Sequence, residues 1–184
     1  MAVIQDGSSG KTLNVDQHGR AATTADILEY DFVINYTSGR VWSIPFETLS
    51  ATGNNDYILY IKNEGDRVIH IPDIRITADT QSTLEVNYVS GTALNGVNIT
   101  PVSRTANSGV PFIGISQSGS DITGITSTGT LFFLECETAN KQHRNHTHST
   151  IRLPRNQAIG ILAKSLTPVH RGTITVVEEE NGAT

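Results

Sequence analysis

Two short stretches of this 184-residue chain carry residue types that do chemistry. The first is "GSSGKT" (7–12), which has the Gly-Lys-Thr end of a phosphate-binding loop. That loop is Gly, four residues, then Gly-Lys-Ser/Thr, because its backbone N–H groups wrap the phosphates while the lysine reaches the outer ones. Counting back from Gly10, Lys11 and Thr12 puts the required first glycine at Gln5. A helix must also follow, to offer its N-terminal N–H groups to the anion. Here "LNVDQHGRAATT" follows, with Gly19 in its middle and no apolar stripe at helical spacing. The second stretch is "KQHRNHTHST", which places His143, His146 and His148 together. On a regular strand His146 and His148 share a face, and two imidazoles so spaced can ligate one metal ion.

That His-x-His pair resembles the one in cupin jelly rolls, whose enzymes add a carboxylate three or four residues later and a distant histidine. Arg152 and Leu153 stand where the carboxylate belongs, Arg144 and Arg152 repel a cation, and the next downstream acid is Glu178. His170 is the one candidate for the distant histidine. A histidine cage on an oligomer axis, as at the tips of some phage spikes, is the other metal arrangement this spacing allows. No Gly-x-Ser-x-Gly elbow and no His-Glu-x-x-His pattern occurs. The sequence therefore predicts no catalytic residue, no cofactor and no resident metal, and a protein that is not an enzyme.

The elements that would position these residues are strands. Threonine is abundant, and β-branched runs alternate with Gly, Asn, Asp, Ser and Pro. Phe32, Ile34 and Tyr36 point one way from "DFVINY", as do Trp42, Ile44 and Phe46, and Leu84, Val86 and Tyr88. "YILYI" (57–61) and "LFFL" (131–134) are apolar on both faces, which predicts central strands. In "RVIHIPDIRIT" the apolar phase shifts across Pro72-Asp73, which predicts a bulge or a corner between sheets. With "STIRLP", "AIGILAKSL" and "GTITVVEEE" there are about nine or ten candidate strands. Only "TADILEY" (24–30) has the pattern of a helical turn or two. The fold class is all-β, an antiparallel jelly-roll-like sandwich over 27–184, with an extended polar N-terminal arm over 1–26. Residues 103–130, rich in Gly, Ser and Thr, read as a long ordered contact loop that presents Ile122 and Ile125.

Charge narrows the partners. The net charge of −5 argues against general nucleic-acid binding. From Thr138 to Val177 there is no Asp or Glu, while Lys141, Arg144, Arg152, Arg155, Lys164 and Arg171 all fall there. Such a segment suits an acidic protein surface, or else is solvated charge on several strands. Cys136, the one cysteine, sits in an apolar run and reads as a buried, inert thiol. No secretory leader or membrane-spanning run is apparent, so the three Asn-x-Thr sequons are read as chance and synthesis as cytoplasmic.

The opening "VIQDGSSGKTLNVDQHGRA" resembles the start of many tailed-bacteriophage virion proteins: an Asp6-Gly7 turn, Gly10-Lys11, then Val15-Asp16 with Arg20. "IRLPRNQAIGILAKSLTPVHRGTITVVEEE" is similar to the last strands of small phage jelly-roll proteins. The resemblance implies a structural virion protein, above all a capsid decoration protein on the major capsid protein, trimeric, with no nucleic-acid or membrane partner. Expected interface residues are Asp6, Lys11, Val15, Arg20, Ile122, Ile125, Arg144 and Arg152. The alternatives are a phage tail or adhesion component that binds host glycan through Trp42 or Tyr57, and a cupin-like metal protein built on His146 and His148.

Overall fold

The computed structural model describes residues 3–5, 12–14, 38–136, 143–166 and 168–179. Two short strands, β1 (Val3–Gln5) and β2 (Thr12–Asn14), pair antiparallel, with Val3 opposite Asn14. Thr12 thus opens a strand where a phosphate-binding loop needs a helix. The rest of 1–26, the expected helical turn at 24–30 and "DFVINY" lie outside the described residues, as do Asp6, Lys11, Val15 and Arg20.

The body is two antiparallel sheets. One has five strands, in the order β11 (His143–Leu153), β5 (Ile69–Ala78), β13 (His170–Glu178), β3 (Val41–Leu49) and β8 (Val102–Ser103). The other has six: β10 (Thr123–Cys136), β6 (Ser82–Leu94), β12 (Ala158–Ala163), β4 (Asp56–Asn63), β9 (Gly114–Ser118) and β7 (Val97–Asn98). Without β7, β8 and β9, the orders 3-13-5-11 and 4-12-6-10 are those of an eight-stranded jelly roll. Among the described residues there is no helix, and so none long and apolar enough to cross a membrane.

Alternation builds the core as expected. Trp42, Ile44 and Phe46 of β3, Ile174 and Val176 of β13, and Leu84 and Val86 of β6 meet between the sheets. "YILYI" is central, between β12 and β9. The phase shift in β5 is a bulge within one sheet rather than a change of sheet: Thr175 pairs with Asp73 but Val177 with His70. Ile69 and Ile71 before it, and Ile74 and Ile76 after it, therefore all reach the core.

Two expectations are corrected. "LFFL" lies in β10, at a sheet edge; Leu134 is buried, but Phe133 is 54% exposed. Residues 103–130 are not one loop, since they contain β9 and half of β10. The glycines that suggested a loop serve a ladder. Gly124, at φ +76°, sits at the register break between Thr123 and Ile125, where a bulge favours glycine. Ile122 is buried, closing a second apolar cluster with Tyr57, Tyr60, Val89, Ala158 and Leu162 on the outer side of the six-stranded sheet. Its N–H donates to the Tyr57 carbonyl at 2.8 Å.

Gly172 marks the tightest approach in the five-stranded sheet, because a Cβ there would collide with the Arg75 carbonyl and press on the Phe46 ring. Gly172→Ala is expected to lower stability by about 1–3 kcal/mol, as overpacking does, read as a fall in the thermal midpoint.

Candidate functional site

The outer face of the five-stranded sheet is where side chains converge. Once the bulge fixes the phase of β5, Ile74 and Ile76 turn inward, leaving Asp73, Arg75 and Thr77 on the other face. The same alternation in β13 leaves Arg171, Thr173 and Thr175 outward, and in β3 Ser43, Pro45 and Glu47. Register then lines these residues up in rows. Arg75 stands opposite Thr173, which stands opposite Pro45; Asp73 is opposite Thr175 and then Ser43; Thr77 is opposite Arg171. Pro45 is tolerated because its position turns away from β13, toward a side that β8 covers only at Trp42 and Ser43.

All of these but Asp73 and Ser43 line an open groove of about 430 Å³, joined by Arg104 from the turn after β8. Three arginines enter it and no lysine does. Two are held by their Nε atoms: Arg75 Nε donates to Asp73 Oδ2 at 2.6 Å, and Arg104 Nε donates to Ser43 Oγ at 3.0 Å. Fixing Nε orients the planar fork, which suits guanidinium to two-point contact with a carboxylate or phosphate. Glu47 is the one acid in the lining, so the groove is more basic than acidic. Arg144 of β11 stands opposite Arg75 in the ladder and extends the same row by position.

The other anticipated residues disperse. Ile122 is core, and Ile125 packs against the same cluster. Arg152 is exposed and donates to Glu179 Oε2 at 3.1 Å, which also meets His70 Nε2 at 3.0 Å. The acid-free segment is no single patch, because Arg155 pairs with Asp66 and Lys164 with Glu85, both from outside it. His146 lies opposite Asp73, but the next pair is Ile151 with Ile71, so a register break falls where His148 lies. The even alternation on which the His-x-His reading rests is thus interrupted. Among the described residues no group of three or more His, Cys, Asp or Glu gathers as a metal site. Trp42 is 2% exposed against the Phe112 ring, and Tyr57 is 9% exposed within the second apolar cluster, so both rings are buried.

Two buried polar clusters sit away from the groove. Ser82 Oγ and His170 Nε2 are 3.0 Å apart beside Cys136, whose thiol pKa burial pushes up. Glu178 is 1% exposed, and its Oε1 accepts the Ile113 N–H at 3.0 Å. Burial raises its pKa despite that bond and the charges of Arg40 and Arg67. It fastens the loop before β9 to the end of β13.

No family model matches the chain, and no curated protein matches it. Among solved structures, the CBM22-1–GH10 modules of a Clostridium thermocellum N-terminal endo-1,4-beta-D-xylanase complexed with xylohexaose align at a TM-score of 0.27 and 10% identity. That alignment covers 80% of this chain and 27% of the xylanase chain, so the chain spans about a quarter of the length of that structure. A score so low carries no argument about fold or function.

The Arg152–Glu179–His70 cluster predicts a pH dependence. His70, chiefly, and Arg152 hold the Glu179 carboxyl below its ordinary 4.5, so the carboxylate's contribution is present just above that value. The contribution disappears as pH falls through the depressed folded value, where both states are protonated. The stability difference between the native chain and Glu179→Gln should therefore shrink toward zero as the pH is lowered below 4.5 into stronger acid, as read by thermal melts across that range.

Proposed function

We propose that this chain is a structural virion protein of a tailed phage. In this reading it decorates the head by docking on the major capsid protein, after synthesis in the host cytoplasm. The observation that carries it is the groove of Arg75, Arg104 and Arg171 on the open outer face of the five-stranded sheet. A flat, strand-built face with pre-oriented guanidinium forks suits an extended acidic protein surface. The jelly roll behind it is an architecture used in viral capsids, as it is in lectins and cupins.

The physics of such docking is specific. Arginines on an open face add orientation and association rate more than they add affinity, and their effect weakens with salt. The polar threonines between them allow close approach without burying unpaired charge. The N-terminal residues that resemble virion proteins, Asp6, Lys11, Val15 and Arg20, would add contacts to a neighbour in this reading.

The test is quantitative mass spectrometry of purified virions. Many copies per particle are expected, with a marked loss of occupancy when Arg75→Glu and Arg171→Glu are combined, from a Kd weakened at least about tenfold, equivalent to about 1.4 kcal/mol. Virions without the protein would contradict the proposal, and full occupancy by the double variant would remove the groove from it.

A further inference from the structure

Two of the groove's arginines are anchored on opposite sides of β13. The row Asp73, Thr175, Ser43 crosses β5, β13 and β3, and its ends hold Arg75 and Arg104 through their Nε atoms. Asp73 and Ser43 stand two strand spacings apart, about 9.5 Å. Thr175, between them, is 3% exposed and still lines the groove, so it forms the floor between the two arginines. Thr173 is the next outward residue of β13, and Arg171 the one after it, closing the groove at its other end. The nearby acids leave the gap between the forks unfilled. Asp73 Oδ2 is bound to Arg75 Nε at 2.6 Å, and Glu47 lies four residues along β3 from Ser43, about 13 Å at strand rise.

We infer that the groove binds one tetrahedral oxyanion of the phosphate type, free or as the phosphoryl group of a larger molecule, between Arg75 and Arg104 and over Thr173 and Thr175. Fixing Nε sets the direction of each guanidinium fork, so the donors are in place before the ion arrives. One fork takes up both oxygens of a carboxylate, which leaves the opposite arginine without its share. A tetrahedral ion carries oxygens on every side, so it can meet both arginines and the threonine hydroxyls at once. Charge-assisted bonds of about 2.8 Å on either side fit one such ion into the gap. Nucleic acid fits less well. The one aromatic residue of the lining, Phe46, belongs to the core, so no ring is offered for a base to stack on, and the chain's net charge is −5. The site shares its arginines with the proposed capsid contact but does not rest on it. The ion binds the isolated chain, and in a virion it would compete with acidic side chains for the same forks.

Isothermal titration of the full chain with inorganic phosphate at fixed ionic strength tests this. One site per chain is expected, with no saturable heat from chloride and at least about tenfold weaker binding of acetate. Arg75→Lys combined with Arg104→Lys keeps the charge and removes the forks. That variant should bind phosphate at least about tenfold more weakly, with its thermal midpoint in the absence of phosphate reporting that it folds. Phenyl phosphate separates the two sources of the ion: tighter binding than inorganic phosphate assigns the site to a phosphoryl group on a partner, and weaker binding assigns it to the free ion. An absence of saturable phosphate binding, acetate as tight as phosphate, or a folded double-lysine variant that binds as the native chain does would each overturn the inference. Virion occupancy is a separate measurement, so either proposal can fail without the other.

Discussion

The sandwich is held at its centre by the last two strands of the chain. β12 runs between β6 and β4 in one sheet, and β13 between β3 and β5 in the other. Every residue of β12 is buried, and Ile174 and Val176 of β13 lie under the Ile and Leu side chains of the facing sheet. Neither sheet closes until residues 158–178 arrive, so the core depends on pairings far apart in sequence. That is the slow-folding, high-contact-order arrangement of β-sandwiches. It also puts Arg171, Thr173 and Thr175 in the middle of the outer face, where rows from β3 and β5 flank them.

The division of labour between faces follows. A jelly roll buries the facing sides of its sheets and leaves two outer faces and their edges to meet other molecules. Here the outer side of the six-stranded sheet is partly covered by the turn at 119–122, which is tied to β4 through the Ile58 and Tyr57 carbonyls. Among the described residues, the outer side of the five-stranded sheet stays open and gathers arginines. In the proposed account, that basic face meets an acidic partner.

Much of this was legible from alternation. Trp42, Ile44 and Phe46 reach the core as their spacing requires, and the shift at Pro72-Asp73 is the bulge that its phase change demands. What local pattern could not give was strand order. "LFFL" and "YILYI" look alike, yet one is at an edge and one is central, because neighbours come from distant residues. Glycines at 103–130 read as a loop because a bulge and a loop draw on the same residue types. The groove was missed for the same reason. Asp73, Arg75 and Thr77, like Arg171, Thr173 and Thr175, are polar positions alternating with apolar ones, and that signal was present in each strand separately. Only register shows that they share one surface, while Arg152, Arg155 and Lys164 of the acid-free stretch are drawn off into local ion pairs.

Docking through the outer face of the five-stranded sheet is the central claim, and orientation on the particle tests it most directly. An electron cryomicroscopy map of the head of the proposed phage, at a resolution that separates strands, would show it. The account predicts jelly-roll density with Arg75, Arg104 and Arg171 turned toward acidic side chains of the capsid. Density with that sheet turned to solvent, or heads with no such density, would contradict it.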